Sequence, residues 1–366
     1  MKKGTNSASM RRKNEKVILS LIKDKPMPRV KLASTLGLTK AAITIIVDEL
    51  LKEGLINEIG IRDTNMAGRN PIILSFDGSK FYAIGINIGR QGVSVGICNL
   101  NGKVISERKF GYTAPEVFFD KIFEIVDDLI LKTKINREKI QGVGVVTPGP
   151  VSLSEKKILN PTNFEEWHNV NVVEELKKRM QYDIFFSNIS SATAITEKYF
   201  GKAKQTENFV SLLVNKDGIG MGIVLNNSLF EGNNEIGHTS IMMDGRKCEC
   251  GSRGCLEKYA TLTAITEGSG YCSWADAVNA QDNGLIEKEC DYLATAIINI
   301  ANVLSIDKVI LNGDIVACKP ELIVKTVSKK IENKILCRNK LKIEIGESYS
   351  DSLVPASLAV NKFFNE

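Results

Sequence analysis

Three things are scarce in this sequence: histidine, long apolar runs and, over most of its length, net charge. Only two histidines, His168 and His238, occur in 366 residues. No apolar run approaches the ~20 residues that a membrane helix needs. The basic start, MKKGTNSASMRRKNEK, is not followed by the hydrophobic stretch of a secretory signal. These absences lead us to expect a cytoplasmic protein with no membrane partner. The apolar fraction is 43% and the charged fraction 25%, both ordinary for a globular chain. A wholly disordered chain, a collagen-like fibre and a small disulfide-stapled module are thereby excluded. At ~100–200 residues per domain, two or three domains are expected.

What charge there is sits at one end. Residues 1–80 hold 15 Lys+Arg and 8 Asp+Glu, a net of +7, whereas the remaining residues hold 33 and 35, a net of −2. A basic terminal module on a near-neutral body suggests an acidic polymer as partner, nucleic acid foremost. Residues 1–13 are polar, basic and without period, and are read as a disordered arm. From Asn14 the spacing of Val17, Ile18, Leu21 and Ile22 is helical, and Lys25-Pro26 ends that helix. A second helix is expected at about Arg29–Leu36, with Val30, Leu32, Ala33 and Leu36 inward, followed by a turn at Gly37. Thr39 is placed to N-cap a third, about Lys40–Glu53, whose apolar face is Ala42, Ile43, Ile46, Val47, Leu50 and Leu51; Gly54 stops it.

Helix, glycine turn, capped helix is the helix-turn-helix pattern. Its second helix enters the major groove with its N-terminal residues at base edges, here Thr39, Lys40, Ala41 and Thr44. Strand-like stretches at Leu55–Ile59 and Pro71–Phe76 flank a turn-rich segment and form an expected β-hairpin wing, with Arg62 and Arg69 near its tip to meet phosphates. The winged helix-turn-helix thus spans residues 14–78. A helical packing domain without nucleic acid is the competing reading, and the wing and the charge weigh against it.

From Phe81 the texture changes. Tyr82–Gly89, Val93–Leu100 and Lys103–Phe110 read as three strands, the last two joined by an Asn101-Gly102 turn. A helix at about Glu116–Thr133, a strand at Gly142–Val146, a helix at Val172–Met180, a strand at Ile184–Phe186 and a helix at Ala192–Phe200 follow. That alternation argues for an α/β fold. A second half opens in the same way, with strands Phe209–Val214 and Met221–Leu225 around Gly218-Ile219-Gly220. A helix at Glu289–Ser305 and a strand at Lys308–Leu311 continue it. Two similar halves, each opening with a glycine-ended hairpin, point to two lobes with a cleft between them. They are expected at about 79–190 plus the C-terminal end, and about 191–345, within a domain of residues 79–366.

The sharpest local signal is Glu235-Ile236-Gly237-His238, then Cys248-Glu249-Cys250-Gly251-Ser252-Arg253-Gly254-Cys255-Leu256-Glu257. Three cysteines within eight residues, with glycines that let the loop curl back, join His238 in a His/Cys₃ set. That is a closed tetrahedral donor set suited to structural Zn²⁺; a catalytic zinc would leave a position open. A redox thiol cluster is the alternative. Cys98, Cys272, Cys290, Cys318 and Cys337 look like dispersed buried thiols, and His168, after Trp167, like a satisfied loop histidine.

Glu-x-Gly-His followed by Cys-x-Cys-Gly-x-x-Gly-Cys-x-Glu resembles the signature of the ROK family of repressors, open reading frames and sugar kinases, complete here from Glu235 to Glu257. The helix-turn-helix in front, with Val47–Leu55 and Gly68-Arg69-Asn70-Pro71, is similar to the family's repressor branch, of the xylose-repressor and N-acetylglucosamine-repressor type. The resemblance runs from about Asn14 to Phe364. It implies an actin-like, hexokinase-type body of two lobes in which Glu235, His238 and Glu257 line a sugar cleft. His238 would bind zinc through one ring nitrogen and reach a sugar hydroxyl with the other, so that the metal holds the sugar-binding loop in shape. Gly149, within Pro148-Gly149-Pro150, and Asn163 match further cleft positions, and Asn188 matches the residue before the kinases' catalytic aspartate.

Departures from the kinase pattern are concentrated at that aspartate and at the nucleotide turns. Ile189 stands where the general base belongs, and a hydrocarbon side chain cannot take a proton; loss of such a base costs ~10²–10⁴-fold in rate. The phosphate turns read Asn87-Ile88-Gly89-Arg90-Gln91-Gly92 and Lys216-Asp217-Gly218, and the adenosine-side glycines read Asn312-Gly313-Asp314. The resemblance therefore implies a non-enzymatic regulator with a vestigial ATP site. Ile189 offers nothing to the 6-hydroxyl of a hexose, a hint of a pentose effector such as xylose. The expected partners are a palindromic double-stranded operator, a sugar or sugar-phosphate effector, and a second copy of the chain in a dimer or tetramer. An ATP-dependent sugar kinase and a repressor controlled by a protein partner are the alternatives.

Overall fold

The computed structural model describes residues 7–61, 72–232, 234–336 and 341–365. Three helices, α1 (Ser7–Asp24), α2 (Arg29–Leu36) and α3 (Lys40–Glu53), build the N-terminal head with three short strands, β1 (Met27–Pro28), β2 (Ile56–Ile61) and β3 (Ile72–Phe76). The strands pair antiparallel in the order β1-β3-β2. Helices α2 and α3 run over the ranges that periodicity and punctuation predict. Thr39 Oγ1 accepts the Ala42 amide at 3.2 Å, and left-handed Gly37 and Gly54 (φ 65° and 76°) close the two helices.

Besides the short strand β1, which the sequence reading does not expect, two details of the head differ from it. Helix α1 begins at Ser7, so the stretch read as an arm is helical from there on. Nothing between Ser7 and Lys13 breaks a helix, and Arg11 pairs with Glu15 one turn on. Val30 is 59% exposed rather than inward, because α2 buries Leu32 and Ala33 alone. Arg62 and Arg69, expected at the wing tip, and Cys337 lie outside the described residues. Of the other dispersed cysteines, Cys98 and Cys290 are buried, Cys318 is half-buried and Cys272 is exposed.

Two five-stranded sheets form the body. The first contains β4 (Tyr82–Gly89), β5 (Gly92–Asn99), β6 (Val104–Gly111), β7 (Ile140–Thr147) and, beyond the short hairpin β8 (Val151–Ser152) and β9 (Lys157–Ile158), β10 (Ile184–Asn188). The second contains β11 (Phe209–Val214), β12 (Ile219–Leu225), β13 (Ser228–Leu229), β14 (Lys308–Asn312) and β15 (Lys342–Ile345). Their orders are β6-β5-β4-β7-β10 and β13-β12-β11-β14-β15. Each is an antiparallel three-strand meander whose first strand pairs in parallel with a fourth, and the fourth with a fifth. The inner strands β4, β5, β7, β11, β12 and β14 are buried along most of their length, as strands covered on both faces require, whereas the edge strands β6, β13 and β15 are largely half-buried or exposed.

Helices α4 (Pro115–Thr133) and α5 (Val172–Lys177) belong to the first lobe. Helices α7 (Glu257–Ala260), α8 (Leu262–Thr266), α9 (Trp274–Asn279), α10 (Asn283–Val303) and α11 (Pro320–Ile331) belong to the second. Helix α6 (Ile189–Tyr199) follows β10 with no loop between them and packs on both β11 and β12, so it lies between the lobes. Sequence periodicity places its start three residues later, at Ala192. The last helix, α12 (Leu353–Asn365), returns to the first sheet and packs on β4 and β7. It comes close because the sheet offers glycine there. A Cβ on Gly85 would stand 1.9 Å from the Ser352 carbonyl, and one on Gly144 1.7 Å from that of Pro355.

The head is not a tethered bead. Ile18, Leu32, Ile43 and Leu74 of the head share one buried cluster with Ala83 of β4, with Phe81 and Leu100 at the ends of β4 and β5, and with Ala356, Val360 and Phe364 of α12. Among the described residues, no helix is long and apolar enough to cross a membrane.

Candidate functional site: an inter-lobe cleft beside a histidine and cysteine cluster

The main cavity, about 730 Å³, opens between the two sheets. The first lobe contributes the β4–β5 turn with Arg90, the Pro148–Pro150 loop and the β10–α6 junction; the second contributes the turn before β12 and the His238 and Glu257 loops. Of the residues singled out as ligand-binding, Gly149, Asn188, Glu235, His238 and Glu257 all line it. Asn163 does not. It is exposed with φ 54°, because the turn buries its neighbour Phe164 against Trp167, and Asn160 and Thr162 face the cleft instead.

Each lining residue has a local reason for its position. Asn188 ends β10 and caps α6, its Oδ1 accepting the Ser191 amide at 2.8 Å. The next residue, Ile189, is the first of the helix and faces the cavity. Gly149 admits the Glu235 carboxylate, since a Cβ there would lie 2.6 Å from Oε1. Glu257 Oε2 accepts the Ile219 amide at 3.3 Å, which ties the carboxylate to the start of β12. Burial, reinforced by the Glu257 charge and opposed by Arg90, pushes Glu235 up to about 7.

Arg90 has a role that chain order hid. Its Nε donates to the Thr162 carbonyl at 2.8 Å. Burial lowers its pKa while Glu257, Asp217 and Glu235 act in the opposite sense, so its guanidinium faces carboxylates of the second lobe. Neighbouring Gln91 reaches Asp217 across the cleft at 3.5 Å. Ser94, which lines the cleft, is only 4% exposed, and its hydroxyl has no hydrogen-bond partner among the described residues. A buried hydroxyl left this way is costly unless something enters to bond it.

The histidine and cysteine set converges at the wall of this cleft. The ligand atoms of His238, Cys248, Cys250 and Cys255 all lie within 4.8 Å of one another. Cys248 Sγ is 3.5 Å from His238 Nδ1, and Cys250 Sγ is 3.6 Å from Cys255 Sγ. A tetrahedral ion with Zn–S near 2.3 Å and Zn–N near 2.05 Å requires N···S about 3.5 Å and S···S about 3.8 Å. The donors therefore fit a small tetrahedral cation. Left-handed Gly251 and Gly254 (φ 92° and 70°) turn the loop back to bring the three sulfurs together. Nδ1 points at the sulfurs, and His238 also lines the cavity. The other histidine, His168, bonds the Pro161 carbonyl at 2.9 Å through Nε2.

On the head, Thr39, Lys40, Ala41 and Thr44 are all exposed along the first turns of α3. The Thr39 hydroxyl oxygen is engaged as the cap, and the Thr44 hydroxyl donates back to the Lys40 carbonyl at 2.9 Å. Lys40 therefore offers the free charge of this group.

Comparison with known proteins agrees with this architecture. The Xylose repressor of Bacillus subtilis (strain 168) is 27% identical over 365 residues, covering 95% of this chain and 92% of the relative. A solved ROK family transcriptional regulator, a homologue of the E. coli MLC protein, superposes with a TM-score of 0.81 at 22% identity, over 97% of each chain. The ROK hexokinase of Thermus thermophilus superposes at 0.66 and 18% identity, over 76% of this chain and 97% of that one. The hexokinase match shows that the two-lobed body has the sugar-kinase fold. The model of the ROK family matches residues 83–352, most of the body. The chain belongs to the ROK family.

Proposed function

We infer that this protein is a DNA-binding transcriptional repressor of a carbohydrate operon, whose operator affinity responds to a sugar in the cleft. The observation that carries this is the union of two parts. A basic helix-turn-helix head, with the start of α3 exposed, shares a hydrophobic core with a ROK body. The B. subtilis relative of matching length is a xylose repressor, which supports the same reading. Thr39, Lys40, Ala41 and Thr44 meet the major groove, with Arg62 and Arg69 at phosphates. A homodimer or tetramer on a palindromic operator follows from the two-fold logic of such heads.

In the cleft, Glu235, Glu257, Asn188 and the backbone beside Gly149 bind adjacent sugar hydroxyls. His238 holds Zn²⁺ with Cys248, Cys250 and Cys255; the ion supplies a rigid loop, not a reacting centre. Six carboxylates line the cleft against three Lys or Arg. That balance favours a neutral sugar over a sugar phosphate. Ile189 at the helix start gives no base, so the kinase reaction is lost, and its hydrocarbon face suits a pentose better than a hexose. Sugar releases DNA only if the DNA-free conformation binds it more tightly.

A gel-shift assay on the DNA upstream of the gene, with and without D-xylose, D-glucose and N-acetylglucosamine, tests this. Specific retardation that one of these sugars changes is expected. Absence of specific DNA binding, or ADP release on any sugar with ATP, would contradict it.

A further inference from the structure

Helix α6 touches the cleft at one end and the head at the other. Its cap, Asn188, and first residues, Ile189 and Ser190, line the cavity. The second lobe presses on the same turn: a Cβ on Gly220 would lie 1.9 Å from Ser190 Oγ, and one on Gly222 2.4 Å from the Ser190 carbonyl. Any change in the angle between the lobes therefore meets the helix here. Along its length α6 is fastened to α12, with buried Thr196 and Ser357 hydroxyls 3.0 Å apart. At 11 residues it is a rod of roughly 16 Å.

The far end holds a side chain of the head. Lys23, in the last turn of α1, donates from Nζ to the Tyr199 carbonyl at 2.8 Å. The same ammonium lies 4.9 Å from the Tyr199 ring centre, 5.6 Å from that of Phe200 and 5.7 Å from that of Phe364. Tyr199 stacks on Phe364, which meets Phe76 of β3 edge-on at 5.2 Å. A helix C-terminus attracts a cation, and aromatic faces attract it further once it is desolvated. Lys23 is only 11% exposed, and among the described residues Asp24, 3.8 Å away, is the one carboxylate paired with it. Burial holds its pKa down at about 8, with Lys204 and Lys198 nearby acting in the same direction. So much desolvation of a lysine is unusual for a mere surface tether. A second anchor, Lys16, binds the Phe363 carbonyl and ring on α12 instead.

We propose that Lys23 is a positioning residue through which α6 carries ligand binding in the cleft to the orientation of the helix-turn-helix. This rests on the repressor reading and names the contact that performs its regulation. The lobes bear on the N-terminal turn of α6, the helix moves as a unit, and its C-terminal carbonyl and aromatic cage take Lys23, hence α1, with it. Helix α12 is packed along β4 and β7 of the first sheet, so Lys16, seated on its Phe363, holds the head on the body and follows the C-terminal end of α6 less than Lys23 does.

The test is operator affinity of the full zinc-loaded chain, by fluorescence anisotropy, with and without D-xylose, D-glucose or N-acetylglucosamine. Sugar affinity is measured in parallel by calorimetry. The wild type is expected to show a ligand-dependent change of the usual allosteric size, ~5–150-fold. Lys23→Met keeps the length and loses the charge. It should retain the sugar affinity and the ligand-free operator affinity to within about threefold, while the ligand effect falls below about twofold. Lys23→Arg should restore most of the effect, and Lys16→Met should leave it intact. If methionine lowers the melting temperature into the assay range, Lys23→Gln is measured instead, with the same expectation. A Lys23→Met or Lys23→Gln protein with the wild-type ligand effect overturns the proposal, and so does equal loss in Lys16→Met. A wild type that binds operator but ignores D-xylose, D-glucose and N-acetylglucosamine alike removes the sugar-responsive reading itself, before any variant is examined.

Discussion

The two lobes share one strand order and are put to different uses. The second lobe carries the histidine and cysteine set and the carboxylates Glu235 and Glu257, fixed by a loop that returns on itself. The first carries Arg90, Ser94 and the α6 cap, and on its outer side it carries the head. Duplicated topology thus supplies a cleft with two dissimilar walls. One wall carries a donor set that fits a small tetrahedral cation and is chemically rich. The other is continuous with the helix-turn-helix head. In the proposed mechanism, a ligand that bridges the walls changes what the head rests on, and that is the physical content of sugar sensing.

The largest expected effect falls on the metal-bearing wall. Cys250 is the exposed member of the set, so Cys250→Ser removes a ligand without opening the core. Structural zinc contributes up to ~10–16 kcal/mol in zinc-finger peptides. Loss of even a few kcal/mol lowers Tm by about 10 °C on the usual scale of ~2–4 °C per kcal/mol. Metal analysis and calorimetry should show no bound zinc and such a drop. Full metal content with unchanged Tm would remove the contrast between the walls.

Next comes the sugar itself. Glu257→Gln should weaken sugar binding by ~10–100-fold, the worth of a hydrogen bond to a charged group. Ligand-free operator affinity should stay unchanged, because Glu257 belongs to the lobe without the head. Calorimetry and anisotropy together check this.

Acidity sharpens the comparison further. The Glu235 carboxyl is raised from its ordinary 4.5 to about 7, so the folded protein holds its proton more tightly than the unfolded chain. Its contribution is therefore neutral below about pH 4.5. It turns increasingly unfavourable as pH rises to about 7, and is fully unfavourable above that. Glu235→Gln should melt like the wild type near pH 4.5, and above it by an amount that grows toward pH 7.5. The full difference should be about 1–2 kcal/mol after allowance for solvent screening.

The smallest effect concerns the head alone. Thr39→Ala removes the α3 cap and should cost ~1 kcal/mol of stability, with weaker operator binding and unaltered sugar affinity. Any change in sugar affinity greater than about twofold would show that the cap matters to the body as well.

How much of this was legible in the sequence depends on distance along the chain. Helix α3 and its Thr39 and Gly54 caps were, because cap and period are local signals. The His238, Cys248, Cys250 and Cys255 set was, because ligand spacing in one loop fixes the donors. The duplicated halves were visible as two glycine-ended hairpins, although their common strand order was not. The placing of Arg90 within the field of Glu257, Asp217 and Glu235 was hidden, since proximity across the cleft leaves no periodic trace. The grip of α6 and α12 on Lys23 was hidden for the same reason, as it joins the first helix to the last. Asn163 misled because its type suits a sugar, whereas its backbone is chosen by the burial of Phe164. The start of α1 was missed because a polar, basic stretch carries no apolar period even when it is helical.

The central claim is that cleft and head are thermodynamically one device. Linkage requires the factor by which sugar changes operator affinity to equal the factor by which operator changes sugar affinity. The most direct measurement is therefore the Kd of D-xylose for the free protein and for the protein saturated with its operator. The account predicts two different constants, in the same ratio as the operator affinities measured with and without D-xylose. Identical constants, with D-xylose bound in both cases, would contradict it.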